Sequence, residues 1–433
     1  MTPRTAPDSA VPDGAPGPGT PDPGAPVRVL HATDASSSGV LAAATAIAKA
    51  TAALPGFDVA FAYVPRADSP SREEIAAMMD GRVRVIRLSR SHRTAVPAFA
   101  VGILALLARR RVDLVHLHSS RAGMLGRAAA LVTGHRSRAV YSPHSFAFDR
   151  SDASASSVAV LRGLEQIGAV LGPRLALVSG SEERLARRSL RGVRTAVLRN
   201  SVDAAALARP ASRRTGHGPL RIVHVGRIAP QKRPDVFGEI ARRWEQERRT
   251  GDGALPVTRF RWLGDGERQL LGDGVEVTGW LSPAQLRAEL AEADLMLFTS
   301  AGEGMPIALL EAQAMGIPCV AHPVTGVTDI LVDGENGVLD GTTDGLFRAL
   351  ASLAANAPAR RRMGEAATAR ITQEFDLADL AKRTLDAYRA LGVRPPLDTR
   401  VPGAGEAAEH AEDAAGSPPA PRPDTAHEEG VRS

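Results

Sequence analysis

The amino-acid sequence predicts an α/β protein of two doubly wound domains, each a parallel sheet with helices packed on both faces. Short β-branched runs alternate with Ala- and Leu-rich helical stretches along most of the chain, which is typical of parallel sheets. The alternation stops once, between residues 200 and 218, and then starts again. A length of 433 residues with 44% hydrophobic residues suits two globular domains with terminal tails.

The first half contains seven predicted strands, at residues 27–30, 59–64, 83–88, 114–117, 139–141, 175–178 and 195–198. Helices are predicted between several of these strands, for example at 41–54 and 123–132. The apolar run at 95–108 is interrupted by Pro97 and is too short to span a bilayer, so we expect a buried helix there.

The second half contains five predicted strands, at residues 220–225, 260–263, 275–278, 295–298 and 318–321. A last helix, at 377–391, is expected to pack back on the first half. Two doubly wound sheets that face each other place their strand ends along one cleft, where such sheets bind ligands.

The two ends of the chain differ in composition from its middle. Residues 1–25 are rich in Pro, Gly, Ala and Asp, so we expect a disordered leader that is neither a signal peptide nor an anchor. Residues 393–433 are predicted to form a disordered acidic tail. The one cysteine, Cys319, allows no internal disulfide, and together with the leader it favours a cytoplasmic protein.

Arginine is concentrated in one stretch of the first half. Between Arg82 and Arg150 there are 13 arginines and two acidic residues, Asp113 and Asp149. A solvated basic face explains this pattern, because the whole chain prefers arginine to lysine. The alternative is a contact with an anionic membrane surface or a phosphate-bearing acceptor. Nucleic acid is disfavoured, because no binding motif or interleaved aromatic residues accompany the arginines.

The segment 300–311 is the most informative motif, because it follows the predicted strand at 295–298 and continues it with a loop and a helix. Gly304 would let a ligand approach the backbone, and Pro306 suits the first turn of a helix. The N–H groups at the helix start would face an anion above the strand end. Glu303 in the loop and Glu311 in the helix would hold different parts of one elongated, hydroxyl-rich ligand. These features together predict a nucleotide-sugar site.

A second motif, Gly226-Arg-Ile-Ala-Pro-Gln-Lys232, follows the first strand of the second half. Gly226 permits a close approach, while Arg227 and Lys232 converge from a loop and a helix start. Two cations placed in this way form a clamp for a diphosphate and stabilise its charge without a metal. The sequence contains no Asp-x-Asp pair, which also favours a site without a metal.

Taken together, the motifs resemble those of the GT4 family of retaining glycosyltransferases, or glycosyl transferases group 1. The second half contributes Gly226-Arg…Lys232, Gly264-Asp-Gly266, Thr278-Gly-Trp280, Glu303…Glu311, Gly316-Ile-Pro318, Asp333-Gly-Glu-Asn-Gly337 and Phe375. The first half contributes His116-Leu-His-Ser-Ser-Arg-Ala-Gly123, Tyr141-Ser-Pro-His-Ser-Phe146 and Asn200-Ser-Val-Asp203. The resemblance covers residues 27–391 and is more specific in the second half.

The resemblance implies a GT-B fold, in which two Rossmann-like domains face each other across a cleft and a C-terminal helix crosses back. It implies an acceptor-side domain at 26–199, a linker at 200–218, a nucleotide-sugar-binding domain at 219–375 and a crossover helix at 376–392. The implied activity is a hexosyltransferase-type transfer that retains the anomeric configuration and needs no metal or other cofactor, since the nucleotide sugar is a co-substrate. We expect a UDP-sugar donor and a hydroxyl acceptor that is lipid-linked or part of a polysaccharide or glycoconjugate precursor.

The resemblance also implies roles for individual residues. Arg227 and Lys232 would hold the donor diphosphate, and Glu303 would orient the transferred sugar. His144 would face the reaction centre from the first domain. The other implied donor contacts are Gly39, Gly226, Trp280 near the base, the backbone of Gly304, Met305 and Ile307, and Glu311 at the ribose hydroxyls. No protein nucleophile is expected, because in this family the leaving phosphate is thought to deprotonate the acceptor.

Four positions depart from the family pattern, in which glycine is common: Ser38, Ser145, Ser201 and Thr325. Glycine would be free to adopt a positive φ or to admit a ligand closely. We expect Ser145 and Ser201 to form local hydrogen bonds, whereas Ser38 affects the fit of the donor phosphates. Asp329 stands where Glu is frequent.

Two other functions stay open: a sugar-nucleotide 2-epimerase of the same architecture, and a catalytically idle nucleotide-sugar-binding protein. The glycine-to-serine departures motivate the second. His116 and His118 share one face of a strand end, but no third metal ligand lies near them in the sequence. The remaining motifs have structural interpretations: a turn at 264–266, a helix cap at 179–181 and a small core residue at Cys319.

Overall fold

The computed structural model describes residues 25–109, 112–150, 154–208, 218–251 and 255–393. The first sheet consists of β1 (Val27–Thr33), β2 (Phe57–Tyr63), β3 (Arg84–Arg87), β4 (Leu114–His118), β5 (Ala139–Ser142), β6 (Arg174–Leu177) and β7 (Arg194–Val197). The second consists of β8 (Leu220–Val225), β9 (Thr258–Leu263), β10 (Val275–Val277), β11 (Leu295–Phe298), β12 (Cys319–Ala321) and β13 (Gly337–Leu339).

The helices of the first half are α1 (Ser38–Ala52), α2 (Arg72–Ala77), α3 (Ala95–Arg109), α4 (Ser120–Val132), α5 (Ala155–Leu171), α6 (Gly180–Ser189) and α7 (Ala204–Leu207). Those that follow are α8 (Pro234–Thr250), α9 (Pro283–Ala291), α10 (Ile307–Ala314), α11 (Val327–Ile330), α12 (Thr343–Ala355), α13 (Ala357–Glu374) and α14 (Leu380–Ala390). Short 3₁₀ turns occupy His92–Thr94, Arg136–Arg138, Pro230–Lys232, Arg268–Leu270 and Leu377–Asp379.

Both sheets are parallel, and each is covered by helices on its two faces, so the predicted fold class is confirmed. The strand order is β3-β2-β1-β4-β5-β6-β7 in the first sheet and β10-β9-β8-β11-β12-β13 in the second. In each sheet the order reverses once, between β1 and β4 and between β8 and β11. Doubly wound sheets bind ligands at the carboxyl ends of the strands at this reversal. This geometry therefore locates a candidate site in each half.

The first sheet is buried between two groups of helices. Residues of α1 and α14, including Ile47 and Ala387, pack with the sheet on one face. Residues of α3 and α4, including Phe99 and Ala130, pack on the other face. The hydroxyl of Tyr388 in α14 lies 3.0 Å from Nδ1 of His116 in β4. The C-terminal helix therefore crosses back to the first sheet, as predicted.

The second sheet has the same layered arrangement. Trp244 of α8 and Leu350 of α12 belong to the core on one face, together with Trp262 of β9. Leu310 of α10 and Ile371 of α13 belong to the core on the other face. Cys319 is fully buried in β12, as predicted.

The structure corrects the sequence predictions at three places. The run at 95–108 is the helix α3, but it is not a buried helix, because only one side packs inward and Val101 is 67% exposed. The strand β13 was missed. The last helix begins with a 3₁₀ turn at Leu377–Asp379, and α14 starts only at Leu380.

The predicted domain boundaries stay predictions. The first sheet ends with Val197 and the second begins with Leu220. Most of the predicted leader, linker and tail, at residues 1–24, 209–217 and 394–433, lies outside the described residues. Among the described residues, no helix combines the length and apolarity needed to cross a membrane.

Candidate functional site

The loop between β11 and α10 contains Glu303, and Glu311 lies within α10. Glu303 is buried in this loop and is only 8% exposed. Pro306 is the N-cap residue of α10, one position before the first helical turn in which it was expected. Because proline offers no side-chain acceptor, the first N–H groups of α10 have no side-chain cap. This leaves the predicted anion contact sterically open, and the contact itself stays a prediction.

Gly304 lies against the first domain. A Cβ at this position would lie 2.7 Å from both the carbonyl carbon of His144 and the backbone nitrogen of Ser145. The neighbouring Gly326 is similarly tight, since its Cβ would lie 2.0 Å from the oxygen of Gly304. A protein neighbour therefore accounts for the glycine at 304, and the predicted close approach of a ligand stays a prediction.

The two predicted phosphate-binding cations both face carboxylates. Nζ of Lys232 lies 2.5 Å from Oε1 of Glu303, and both side chains are largely buried. The guanidinium of Arg227 donates to the carboxylate of Asp68, which belongs to the first domain. Gly226, with φ of 151°, ends β8 beside Lys232, whose Cε would lie 3.3 Å from a Cβ at this glycine. The structure thus brings Gly226, Lys232 and Glu303 together.

Trp280 and Glu311 lie at other parts of the same region. The Trp280 ring is 60% exposed, and the guanidinium carbon of Arg227 lies 5.8 Å from its centroid. An exposed aromatic ring beside a cation can stack with a planar base. Glu311 is half-buried in α10, and burial raises the pKa of its carboxyl to about 7, although Arg287 opposes this effect.

Met305 and Ile307 frame the start of α10. Met305 is buried, and its carbonyl oxygen accepts a 2.8 Å hydrogen bond from Nδ2 of Asn200. Ile307 is half-buried at the first helical position. Because the carbonyl oxygen of Met305 already accepts this hydrogen bond, the N–H of Met305 is the backbone group that could contact the predicted ligand.

Gly39 lies in the first turn of α1, at the carboxyl end of β1. A Cβ at Gly39 would have no neighbour within 4 Å. The N-cap residue Ser37 makes no side-chain capping hydrogen bond, and the first turn contains no acidic residue. The N–H groups of this turn can therefore bind an anion that approaches over Gly39.

His144 and Ser145 follow β5 with unusual backbone angles. Their φ values are 58° and 112°, in the region that favours glycine. Ser145 therefore adopts the conformation for which the family uses glycine. Its N–H donates a 2.9 Å hydrogen bond to Oε1 of Glu182, and the other carboxylate oxygen accepts from the N–H of Val178. Glu182 is fully buried, and this burial raises its pKa to about 7.

The other departures from glycine are less strained. Ser201 does not have a positive φ, and its hydroxyl accepts from Arg383 at 3.1 Å. At the loop of Thr325, the glycine with positive φ is Gly326, at 77°. Asp329 accepts hydrogen bonds from the backbone N–H and the hydroxyl of Ser181 and so links α11 to α6.

Three of these residues escaped the sequence analysis: Asp68, Glu182 and His31. Glu182 occurs in a Ser-x-x-Glu pattern, and Ser179 does cap α6, as predicted, by accepting from the N–H of Glu182. The Glu182 carboxylate instead reaches the His144 loop. His31 brings a third imidazole to His116 and His118, so that one ring nitrogen from each lies within 4.8 Å of the others. Neither Asp68 nor His31 carries a local sequence signal.

Comparisons with known proteins identify both halves of the chain. The family model for glycosyl transferases group 1 matches residues 219–356, and that for glycosyltransferase family 4 matches residues 37–206. The chain is 30% identical over 340 residues to D-inositol 3-phosphate glycosyltransferase of Kineococcus radiotolerans. The matched region covers 67% of this chain and 75% of that protein.

Two further relatives are matched over less of their length. The chain is 29% identical over 268 residues to UDP-Gal:alpha-D-GlcNAc-diphosphoundecaprenol alpha-1,3-galactosyltransferase of Escherichia coli, covering 55% of this chain and 65% of that protein. It is 29% identical over 290 residues to glycogen synthase of Mycobacterium tuberculosis, covering 65% and 64%. The chain thus spans slightly less than two thirds of the length of these two relatives.

Solved structures share the fold. Anabaena HepE in complex with UDP-glucose superposes with a TM-score of 0.64 and 17% identity, covering 84% of this chain and 99% of that chain. Sucrose-phosphate synthase from Thermosynechococcus elongatus gives a TM-score of 0.68, also with 17% identity and the same coverage. These superpositions confirm the two-domain Rossmann-like architecture that the sequence motifs implied.

Proposed function

The chain belongs to the glycosyl transferases group 1 family, and on that premise we propose that it transfers a sugar from a nucleotide-sugar donor to a hydroxyl acceptor. One observation carries the proposal. Lys232 and Glu303, which come from the ends of β8 and β11, meet at 2.5 Å beside the uncapped start of α10. A cation and free N–H groups suit a diphosphate, and the adjacent carboxylate suits the hydroxyls of a sugar.

We propose that the transfer retains the anomeric configuration and needs no metal. The positive charge of Lys232 and Arg227 would stabilise the leaving diphosphate in the role that a divalent cation would otherwise fill. Glu303 is held by the ammonium group of Lys232, which favours an orienting role over that of a nucleophile. The leaving phosphate would then take the proton of the acceptor hydroxyl.

We expect UDP as the nucleotide. Two similarities support this choice: the Escherichia coli relative is named for a UDP-galactose donor, and the HepE structure is a complex with UDP-glucose. The exposed ring of Trp280 next to Arg227 offers a surface for the base. Glu311 would accept hydrogen bonds from the ribose hydroxyls.

The experiment is a thermal-shift screen against nucleoside diphosphates and their sugars, followed by measurement of nucleoside diphosphate release with and without acceptors. Lys232→Met and Glu303→Gln should each reduce transfer by at least about 100-fold, the size of effect seen when one charge-stabilising donor is lost. Lys382→Met is the matched control, because Lys382 is exposed on α14, where its ammonium group pairs with Asp386.

Three outcomes would reject the proposal. Wild-type transfer by Lys232→Met or Glu303→Gln would show that the site is wrongly assigned. Conversion of one nucleotide sugar into another without any acceptor would identify a 2-epimerase. Binding of nucleotide sugars without release or transfer, across many acceptors, would identify a catalytically idle binding protein.

We also propose a peripheral contact with an anionic membrane and, with it, a lipid-linked acceptor. Val132, Ile167 and Val170 are 73%, 55% and 64% exposed at the ends of α4 and α5. Arg136 lies beside them, since its guanidinium donates to the carbonyl oxygen of Val170 at 2.8 Å. Exposed apolar side chains next to arginine suit the boundary between lipid headgroups and acyl chains.

Sedimentation with liposomes tests this contact. The chain should sediment with vesicles that contain anionic lipid, and the double variant Ile167→Ser/Val170→Ser should sediment less. Val257→Ser serves as the control, because Val257 is 57% exposed in the second half. Equal sedimentation with anionic and neutral vesicles would reject the membrane contact and leave the transferase proposal standing.

A further inference from the structure

Three histidines of the first half form a hydrogen-bonded chain that ends at the candidate site. Nδ1 of His31 in β1 lies 3.1 Å from Nε2 of His118 in β4. Nδ1 of His118 lies 3.0 Å from Nε2 of His144. The backbone of His144 lies against Gly304, directly after Glu303. This histidine chain therefore runs from the core of the first domain to the loop that contains Glu303.

Burial lowers the pKa of all three rings, which favours their neutral forms at pH 7. Burial lowers the pKa of His31 to about 3 and that of His144 to about 4. Burial is also the main reason why the pKa of His118 is well below its ordinary value, and the neighbouring histidines lower it further. A neutral imidazole carries one proton, on either Nδ1 or Nε2.

Two hydrogen bonds among three neutral rings allow only two arrangements of the protons. If His118 carries its proton on Nε2, it donates to Nδ1 of His31 and accepts from Nε2 of His144. If it carries the proton on Nδ1, it donates to Nε2 of His144 and accepts from Nδ1 of His31. In both arrangements the three rings share the same tautomer. The proton position on His118 thus decides whether Nδ1 of His144 is a donor or an acceptor.

The two ends of the chain differ in their surroundings. Nε2 of His31 and Nδ1 of His144 are the ring nitrogens of the chain without a hydrogen-bond partner among the described residues. His31 is fully buried, whereas His144 is partly exposed and adjoins Gly304. Both unpartnered nitrogens are themselves buried, but only His144 is a partly exposed residue beside Gly304, so Nδ1 of His144 is the end at which a bound ligand could supply the missing partner.

A metal site explains the cluster less well. His31, His116 and His118 could each offer one nitrogen within 4.8 Å. Both nitrogens of His116, however, already have partners: the hydroxyl of Tyr388 at 3.0 Å and the hydroxyl of Ser142 at 2.9 Å. The nitrogen of His118 that faces away from His31 is likewise engaged by His144. Hydrogen bonding accounts for the geometry without an ion.

We propose that His118, backed by His31, is a positioning residue that fixes the orientation and tautomer of His144 toward the bound donor and acceptor. The identity of these ligands rests on the proposed function. The shared tautomer rests only on the two hydrogen bonds among the histidines. His118 would act through His144 and would not touch the reacting atoms. This arrangement resembles the way in which a second group holds a catalytic imidazole in one tautomer.

The test combines spectroscopy with kinetics on the full chain. Long-range ¹H–¹⁵N correlation of ¹⁵N-histidine-labelled protein at pH 7.5 reports the tautomer of each ring. Wild type should show one shared tautomer for the three histidines of the chain. In His118→Asn the amide can still bond to His144 but cannot couple it to His31, so His144 should show a mixture of tautomers. The kcat of His118→Asn should fall about tenfold with little change in the KM for the donor. This is the size of effect expected when a residue that supports a functional histidine is removed.

The control variant and a second break keep the proposal falsifiable. His116→Asn removes a buried histidine from the same strand face but leaves the hydrogen bonds among His31, His118 and His144 intact, so these three rings should keep their shared tautomer. His31→Asn breaks the histidine chain at its buried end, so His144 should again show a mixture of tautomers. This variant provides the test if His118→Asn does not fold.

Four results would overturn the proposal. Different tautomers among the three rings in wild type would exclude the coupled chain, and a single tautomer of His144 in His118→Asn would exclude control by His118. Normal kcat with a released tautomer would exclude a positioning role. Stoichiometric metal in the purified protein that is lost in His31→Asn would assign the cluster to an ion. If wild type transfers no sugar, the proposed function fails, while the tautomer measurement still decides whether the chain exists.

Discussion

The contact between Gly304 and the His144 loop leads to a quantitative prediction for Gly304→Ala. The new methyl group would lie 2.7 Å from the carbonyl carbon of His144, whereas ordinary contacts begin at 3.4 Å. The atoms that it meets belong to the backbone, so no side chain can rotate away. The two loops must therefore separate by about 0.7 Å, which is the difference between these distances.

This displacement should reduce transfer more than it reduces stability. A misplacement of about 1 Å can cost on the order of 100-fold in rate, so 0.7 Å should cost about 20-fold in kcat/KM, or roughly 1.8 kcal/mol. Overpacking costs about 1–3 kcal/mol in a closed core. The free energy of unfolding should fall by less than this, because the contact lies between two loops that can separate.

Steady-state kinetics with the preferred donor, together with urea unfolding, would measure both effects. Gly341→Ala is the matched control, because a Cβ there has no neighbour within 4 Å and the backbone is not in the glycine region. A Gly304→Ala enzyme with wild-type kcat/KM would refute the reasoning, since it would mean that the two loops do not approach in this way during turnover.

Three further predictions concern single residues of the site. Gly39→Ala should not lower the free energy of unfolding, since its Cβ meets no neighbour and alanine suits a helix better than glycine, but it should weaken nucleoside diphosphate binding measured by calorimetry; unchanged affinity would remove Gly39 from the donor site. Ser145→Gly should stabilise the chain by about 1 kcal/mol in urea unfolding, because it relieves a φ of 112°; a loss of stability would mean that the serine side chain outweighs the strain. The pKa of Glu311 is raised from 4.5 to about 7 in the folded protein. Between these values the folded state keeps a proton that the unfolded state has lost, so the free energy of unfolding should fall as pH rises from about 4.5 to 7. Because the ribose contact needs the carboxylate, UDP affinity should rise about tenfold between pH 6 and pH 8, and Glu311→Gln should abolish both trends.

The sequence predicted most of the fold because the β-branched runs are long enough to show their pattern. The strand at Leu295–Phe298 was predicted at its observed bounds. The strand β13 was missed because it has three residues and begins with Gly337, which weakens a strand pattern. The helix α3 was predicted as buried because its apolar residues run all round it, and composition alone cannot show that Val101 is exposed.

The site was predictable only where its residues follow a strand. Lys232 and Glu303 lie in the segments that follow β8 and β11, which are neighbours in one parallel sheet, so their convergence follows from the topology. Asp68 contacts Arg227 from the first half, and His31 contacts His118 in the core of that half, so the roles of both depend on tertiary packing. The predicted functions of the site residues stay predictions, although the structure brings several of them together.

The two ion pairs of the site indicate which cation a diphosphate would separate from its carboxylate partner first. A cation left unpaired in a partly buried cleft would be costly, and each cation here already has a carboxylate partner. The pair of Arg227 with Asp68 is the more exposed, with side chains 48% and 34% accessible, and such pairs contribute at most about 1 kcal/mol. A diphosphate would therefore displace Asp68 from Arg227 first. Lys232 would gain the phosphate while keeping Glu303 beside it, since the side chains of that pair are only 21% and 10% accessible. Because Asp68 belongs to the first half, this exchange would connect donor binding with the contact between the two halves.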